Sequence, residues 1–398
     1  MFRVCKFAFL DNAGKVKFLT ALRTPPALLL IAVLLGLAAA NSPVARILQS
    51  FFAVSQQFCF PPACFALSVP EVAQLVGVSA FFLLVGLELK REFIGGALKP
   101  ARNAVAPLLA AILGVALPAL WYLAVNYGLP SAAGWPIPTA TDVTFALAVY
   151  VSFGRNLPGA ARTFLLAFAV MDDVIAVLII GVLFTGDRIG FPFGFLPVVI
   201  PVTIYFLLQQ LRLKGLLGKF AAVVAGLSLI IALVFLALAG IEPALLAVAV
   251  GLLTPKDLIA KLEARLTPVV SYALLPLFAF FAAFVALPAV TALSWPVFIG
   301  IVARPIWKFV GVFVGGLIGS KFADGPMRLS VNALWRVAAL GGIGFTVSLL
   351  VAQLAFGRGK PAELGTAVLA TLVASVISVV AGAFALARGH RTQTADRA

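Results

Sequence analysis

Long apolar runs, separated by short charged or turn-rich breaks, occupy almost the whole chain. The hydrocarbon core of a bilayer is about 30 Å thick, and one helical crossing needs about 20 apolar residues. The pattern therefore predicts an all-α polytopic membrane protein with twelve transmembrane helices. The predicted spans cover residues 18–40, 72–89, 104–127, 136–153, 163–183, 195–211, 220–239, 243–253, 269–287, 296–318, 331–356 and 364–387. The eighth run is too short to cross alone as a straight helix that faces lipid.

Composition agrees with this pattern and excludes other classes of protein. Of the 398 residues, 63% are hydrophobic and only 11% are charged, whereas a soluble domain averages about 25% charged residues. The net charge of +15 is strongly basic, but the lysines and arginines lie in small groups between apolar runs. Because they form no stripe or patch, we exclude nucleic acid as a partner and expect the lipid bilayer.

The positive charges predict the orientation of the chain. If the twelve spans alternate in direction, 22 lysines and arginines lie on one side of the membrane and four lie on the other. Cytoplasmic loops carry the excess of basic residues. Both termini, including the tail 388–398, are therefore expected in the cytoplasm, and segment 41–71 is expected to be an extracytoplasmic loop.

Two features near the start of the chain leave alternatives open. The basic start, the first apolar run and residues 38–40, which are all alanine, also fit a cleavable signal peptide, although the basic region of about 25 residues is long for one. Cys59 and Cys64 lie in the extracytoplasmic segment, where they form either a local disulfide or two ordinary apolar cysteines. Together with Cys5 they lack the spacing of a zinc site, and no cofactor is expected.

Three of the 14 acidic residues lie well inside predicted spans, and these are Asp142, Asp172 and Asp173. An acidic side chain at the bilayer centre costs about 2.5–3.5 kcal/mol on insertion scales, which makes each one a functional candidate. Asp172 and Asp173 are neighbours in the middle of the fifth span and point about 100° apart on a helix.

A carboxylate at the membrane midplane either binds a small hard cation such as Na⁺ or Li⁺ or takes up a proton. Alternation of the two on the same oxygens is an exchange mechanism. The competing interpretation is a pair that is neutralised by protonation or by buried cations and serves packing alone.

Two spans contain residues that interrupt a helix. Pro136, Pro138 and several threonines precede Asp142 in the fourth span, and a glycine-rich stretch, 341–348, lies in the eleventh. We expect both spans to be discontinuous, with Asp142 offsetting the positive ends of the half-helices. For the fourth span the alternative is a proline-kinked helix whose threonine hydroxyls bond the freed carbonyls.

Close helix packing through small residues is the alternative for the eleventh span, and it is the better account of Gly311, Gly315 and Gly319 in the tenth. Interruptions at corresponding places predict two structural repeats, residues 104–183 and 296–387, within one transporter domain. The binding site is expected where the two discontinuous spans cross.

Five motifs, in order along nearly the whole chain, resemble the NhaA-type Na⁺/H⁺ antiporters of bacterial inner membranes. They are Phe-Phe-Leu-Leu-Val-Gly-Leu-Glu-Leu-Lys-Arg-Glu at 81–92, Ala-Thr-Asp at 140–142, Met-Asp-Asp at 171–173, Leu-Pro-Leu-Phe-Ala-Phe at 275–280 and Gly-Ile-Gly-Phe-Thr at 342–346. The resemblance implies twelve helices, inverted repeats with crossed broken helices and a homodimer, with 41–71 at its interface. It implies electrogenic exchange of Na⁺ or Li⁺ for protons in pH and sodium homeostasis, and not an enzyme.

The resemblance also implies roles for particular residues. Asp173 matches the principal ion ligand of the family, and Asp172 matches its partner carboxylate. Thr141 and Asp142 match the pair at the broken fourth helix, and the broken eleventh helix supports transport through Gly342 and Gly344. The charged residues that the resemblance connects with pH response are Glu88, Arg91, Glu92 and Glu263.

Four positions depart from the family pattern. Where the family usually has a lysine in the tenth span, this chain has Arg304, with Lys308 one turn later. Because arginine stays protonated, Arg304 could balance carboxylates but could not carry a proton, and we hypothesise that proton coupling rests on the aspartates alone. The family histidine aligns with Glu242, and the only histidine is His390. The third departure is Ala-Ala-Phe at 282–284, where the family has Asn-Ala-Gly. The fourth is Gln-Leu at 74–75, where the family has Asn-Asp.

Three other functions are weighed against antiport. A coupled carrier of organic solutes would need a roomier and more polar cavity than this sequence offers. An intramembrane aspartyl protease also uses two aspartates, but its Gly-x-Gly-Asp signature is missing, and the nearest match, 184–187, reads Phe-Thr-Gly-Asp. A purely structural membrane protein would not retain three carboxylates at the midplane.

Overall fold

The computed structural model describes residues 24–60, 63–95, 102–154, 157–183, 243–322, 329–357 and 359–395. Within these ranges the first helices and strands are α1 (Pro25–Ala40), α2 (Ala45–Phe52), β1 (Ser55–Phe60), β2 (Ala63–Ser68), α3 (Val69–Gly95), α4 (Arg102–Val125), α5 (Val143–Phe153) and α6 (Gly159–Leu183). The later helices are α7 (Pro243–Leu253), α8 (Lys256–Val269), α9 (Leu275–Ala282), α10 (Trp295–Val302), α11 (Arg304–Ser320), α12 (Val331–Ala338), α13 (Thr346–Phe356) and α14 (Pro361–Ala395).

Six stretches among the described residues are helical, long and apolar enough to cross a membrane, and the bent pair α1 and α2 adds a seventh if it counts as one span. The prediction of a helical multi-pass membrane protein is confirmed. The count of twelve stays a prediction, because the sixth and seventh predicted spans, 195–211 and 220–239, lie outside the described residues. The ninth span begins earlier than predicted, since one helical stretch runs from Leu258 to Ala282.

A small antiparallel hairpin is the one departure from an all-α chain in the described ranges. Strands β1 and β2 lie inside segment 41–71, which the sequence analysis treats as a loop, and their register places Cys59 opposite Cys64. An antiparallel hairpin lets this part of the segment pair its own backbone groups. Both alternatives for the cysteines stay predictions.

The described residues divide into two compact units. One comprises Arg46–Arg91 and Val177–Phe281, and the other contains the remaining described residues. The second unit holds all three membrane aspartates and the interrupted spans.

Glycines bring α4 and α11 of the second unit into close contact. A side chain at Gly311, Gly315 or Gly319 would collide with the backbone of α4 at Leu113, Leu109 and Ala106, respectively. The prediction of close packing through these small residues is therefore confirmed.

Proline marks the start of several helices in this unit. Pro296 and Pro305 occupy the first turns of α10 and α11, where the missing N–H of proline costs no intrahelical hydrogen bond. The tenth span, Trp295–Ser320, is one apolar stretch in which Ala303 separates α10 from α11, and Arg304 is the first residue of α11.

The fourth and eleventh spans are both interrupted, as the sequence predicts. A short 3₁₀ turn, Ile137–Thr139, precedes extended backbone at Ala140 and Asp142, and α5 begins at Val143. In the eleventh span, α12 ends at Ala338 and α13 begins only at Thr346. The inverted relation of the repeats and the crossing of their helices stay predictions.

Candidate ion-binding site

The two interruptions contact each other directly, through one backbone hydrogen bond and one hydrogen bond from a side chain to the backbone. The N–H of Asp142 donates to the carbonyl of Ile343 at 2.6 Å, and the hydroxyl of Thr141 donates to the carbonyl of Gly341 at 2.8 Å. Backbone groups freed by the breaks, which would be costly to leave unpaired in a membrane, thus satisfy one another.

Glycine is required in the interruption of the eleventh span because other segments of the chain approach its backbone closely. A side chain at Gly344 would run into the carbonyl of Ala140 and the guanidinium of Arg304. At Gly342 it would meet the hydroxyl of Ser378 and the backbone of Pro305. Gly344 therefore permits the contact between the interruptions, and Gly342 permits close packing of the eleventh-span interruption against α11 and α14.

The carboxylate of Asp142 caps two half-helices at once. Its Oδ1 accepts from the N–H groups of Thr144 and Phe145, 3.1 and 3.3 Å away in the first turn of α5. Its Oδ2 accepts from the hydroxyl and the N–H of Thr346, 3.0 and 3.4 Å away at the start of α13. A negative group at two helix N-termini offsets both positive helix ends, as the sequence analysis expects of Asp142.

Asp172 is completely buried in α6 and forms an ion pair with Lys308 of α11. The ammonium Nζ lies 2.9 and 2.8 Å from Oδ1 and Oδ2, and it also donates to the carbonyl of Thr139. Oδ2 accepts in addition from the N–H of Thr141 at 2.8 Å. One cation is thus surrounded by three oxygens from the fourth and fifth spans.

Asp173 follows Asp172 in α6 and is 3% exposed. Its charge acts on the ammonium of Lys308 as well. The ammonium of Lys308 is thus attracted by both carboxylates, and it donates hydrogen bonds to Asp172.

Arg304 is completely buried one turn before Lys308 on α11. Its guanidinium donates to Ser348 Oγ at 3.1 Å, to Ser375 Oγ at 2.8 Å and to the carbonyl of Thr371 at 3.3 Å. These partners are hydroxyl and carbonyl oxygens of α13 and α14. The charge of Arg304 also acts on Asp142, in keeping with the predicted balancing role.

A family model described as Na⁺/H⁺ antiporter 1 matches residues 16–386, which include every residue of this site. The chain belongs to the Na⁺/H⁺ antiporter 1 family. The resemblance to NhaA-type antiporters is thereby confirmed.

Bacterial relatives of this Na⁺/H⁺ antiporter 1 family member agree with the assignment. The Na(+)/H(+) antiporter NhaA 2 of Clavibacter michiganensis is 39% identical over 386 residues, which cover 94% of this chain and 93% of the relative. The Na(+)/H(+) antiporter NhaA of Frankia casuarinae is 37% identical, over 88% of this chain and 83% of its own. That of Salmonella arizonae is 38% identical, over 77% and 80%.

A solved structure shows a similar fold. The sodium proton antiporter of Methanocaldococcus jannaschii at pH 8 aligns with a TM-score of 0.56 and covers 90% of this chain and 91% of its own. Because only 14% of the aligned residues are identical, this similarity concerns the fold alone.

Two of the residues that the family resemblance connects with pH response are paired in the other compact unit. The guanidinium of Arg91 in α3 forms an ion pair with the carboxylate of Glu263 in α8, whose side chain is 7% exposed. Glu88 and Glu92 are half-buried residues of α3 that lie within one turn of Arg91. Glu242, which aligns with the family histidine, lies outside the described residues.

Lys308 is the member of the site that the sequence analysis misses. The hypothesis that proton coupling rests on the aspartates alone stays a prediction, and a second titratable group, the ammonium of Lys308, is bound to Asp172. One signal was available, since Lys308 is a charged residue inside a predicted span and lies four residues after Arg304 on the same helical face.

Proposed function

We propose that this protein is a secondary antiporter that exchanges Na⁺ for protons across a bacterial inner membrane, with Li⁺ as an alternative cargo. The observation that carries the proposal is the pair of buried aspartates in α6, Asp172 and Asp173, of which Asp172 is bound to Lys308 and to the interrupted fourth span. Such groups are expensive to place in a membrane and mark ion pathways.

The ammonium of Lys308 indicates where a cation would bind. It is held by both carboxylate oxygens of Asp172 and by the carbonyl of Thr139, and oxygen ligands of this kind suit small hard cations. We assign Asp172 and Asp173 as the carboxylates that bind Na⁺. Thr141, Asp142, Gly342 and Gly344 position the surrounding chain.

Competition between positive charges for one buried space links cation binding to proton release. A Na⁺ that approaches Asp172 competes with the ammonium of Lys308 and with any proton on the carboxylates, because these groups share one buried space of low polarity. Loss of a proton from the ammonium of Lys308 removes a competing positive charge, and loss of a proton from an aspartate leaves a carboxylate that can bind Na⁺. Movement of the interrupted spans would then expose the loaded site to the other side, which is alternating access.

The remaining expectations belong to the same proposal. The excess of basic residues on one side supports a cytoplasmic location of both termini. The protein would form a homodimer with segment 41–71 at its interface. Arg91 and Glu263, together with Glu88 and Glu92, would adjust exchange to pH in the service of pH and sodium homeostasis.

Transport by the purified protein in sealed liposomes tests the proposal. With an imposed pH gradient, addition of Na⁺ or Li⁺ should collapse the gradient for the wild type, and K⁺ serves as a comparison cation. Asp173→Asn removes a carboxylate charge with little change in volume, and we expect it to abolish exchange.

A matched control keeps the test specific. Glu71→Gln makes the same chemical change at an exposed residue that bonds Ser68 at the start of α3, and it should exchange like the wild type. Undiminished exchange by Asp173→Asn would overturn the site assignment, whereas a wild type that does not respond to Na⁺ or Li⁺ would overturn the proposed function.

A further inference from the structure

Arg304 is connected to the interruptions of the fourth and eleventh spans through two serine hydroxyls. Ser348 Oγ donates to the carbonyl of Ile137, next to the break in the fourth span, at 2.9 Å. Ser375 Oγ lies 2.6 Å from the carbonyl of Gly344, in the break of the eleventh span. The guanidinium donates to both hydroxyls.

The direction of these hydrogen bonds requires a donor at position 304. A serine hydroxyl has one hydrogen, and Ser348 gives it to Ile137. Ser375 gives its hydrogen to Gly344 or to the carbonyl of Thr371, which is 2.7 Å away. Each hydroxyl therefore has only lone pairs left for the side chain of Arg304.

Arginine meets this requirement at every pH. Its guanidinium is a planar fork of N–H donors that stays protonated, and its two Nη atoms bond different helices, α13 and α14. A lysine ammonium at the same position is one compact donor group, and it can lose its proton when buried.

We propose that Arg304 is a positioning residue, a clamp whose permanent charge and forked donors hold the two interruptions in register through Ser348 and Ser375. Lys308, one turn later, contacts Asp172 directly and takes part in exchange, whereas Arg304 does not exchange protons. This assignment rests on the proposed antiport function, since the interruptions carry Thr141 and Asp142 to the site.

Kinetics in liposomes test the clamp. Some residues orient an ion ligand without contacting the ion. Removing such a residue typically changes affinity or activity by about 10–100-fold. We expect Arg304→Lys to raise the apparent KM for Na⁺ about 10-fold, with a larger rise at alkaline pH because lysine can deprotonate. The double variant Ser348→Ala, Ser375→Ala should raise KM similarly without the added pH dependence. The H⁺:Na⁺ ratio should stay that of the wild type in both.

Two control variants make matched changes elsewhere. Arg336→Lys alters another buried arginine, in α12, and Ser152→Ala removes a hydroxyl that bonds within its own helix, to the carbonyl of Ala148. Both should retain the wild-type KM and pH profile. An Arg304→Lys variant with wild-type KM at every pH would contradict the clamp, and a changed H⁺:Na⁺ ratio would place Arg304 in the exchange step itself.

Hydrogen–deuterium exchange separates this inference from the proposed function. The amides of Asp142 and Thr346 donate across the interruptions, so peptides covering 137–146 and 340–348 should exchange faster in both clamp variants than in the wild type and the controls. Unchanged protection would overturn the clamp even if transport proceeds. Faster exchange would support it even if the wild type does not respond to Na⁺.

Discussion

Two basic residues one turn apart on α11 make different kinds of contact. Lys308 binds the carboxylate of Asp172 at 2.8 Å, and both side chains are completely buried. Arg304 binds hydroxyl and carbonyl oxygens of α13 and α14. The residue that contacts the proposed ion ligand is therefore the one that can lose its proton.

The buried pair should show strong energetic coupling. Removing one partner of a buried ion pair leaves an uncompensated charge and costs about 3–5 kcal/mol. We expect Lys308→Gln to lower the free energy of unfolding by this amount in detergent, and the double variant Lys308→Gln, Asp172→Asn to recover most of it.

The pair of Arg91 and Glu263 provides a comparison. The side chain of Arg91 is 32% exposed, so solvent screens this pair and its coupling should be smaller. Denaturation of the single and double variants of both pairs measures the two couplings. Additive effects of the Lys308 and Asp172 substitutions would contradict the strong pairing.

At the scale of helices and strands, local sequence predicts the interruptions well. Prolines and threonines before Asp142, and glycines at 341, 342 and 344, disfavour continuous helix whatever surrounds them. The cap that Asp142 places on α5 is also local, because it bonds residues two and three positions later.

The partners across the molecule could not be predicted in this way. Arg304 meets Ser348 and Ser375, which are 44 and 71 residues away along the chain. Helical periodicity places Arg304 and Lys308 on one face, but it does not say which of them meets Asp172. Only the packing of α11 against the interrupted spans decides that.

The contact between the interruptions should not tolerate a side chain at Gly344. Gly344→Ala would force a methyl group against the carbonyl of Ala140, and overpacking of this kind costs about 1–3 kcal/mol. Since small displacements of a site can cost about 100-fold in rate, we expect exchange in liposomes to fall at least about 10-fold. Gly159→Ala is the control, because nothing lies within 4 Å of the added methyl group, and equal losses in both would refute the steric account.

At the scale of the whole molecule, the basic residues and the acidic residues carry separate information. Of 29 lysines and arginines, 22 fall in segments that the span pattern assigns to one side, and this bias orients membrane proteins. Acidic residues number only 14, and the three that lie well inside predicted spans are Asp142, at an interruption, and Asp172 and Asp173, on α6. The predicted orientation and the proposed ion binding thus rest on different charged residues.

Labelling of single cysteines tests the orientation. In a variant with all three native cysteines replaced by serine, Tyr127→Cys is placed at an 89% exposed position at the extracytoplasmic end of the third predicted span. It should react with a membrane-impermeant maleimide in intact cells that lack an outer-membrane barrier. Lys256→Cys, exposed between the eighth and ninth spans, should react only after permeabilisation, and the reverse pattern would contradict the orientation.

Competition between Na⁺ and protons for one buried site is the central claim, and the affinity of the purified protein for Na⁺ at successive pH values measures it most directly. If one proton leaves for each Na⁺ bound, the apparent Kd from calorimetric titration should fall about tenfold for each unit rise in pH across the titrating range. The variant Asp172→Asn, Asp173→Asn should bind no Na⁺. A Kd for Na⁺ that does not change with pH would contradict the account.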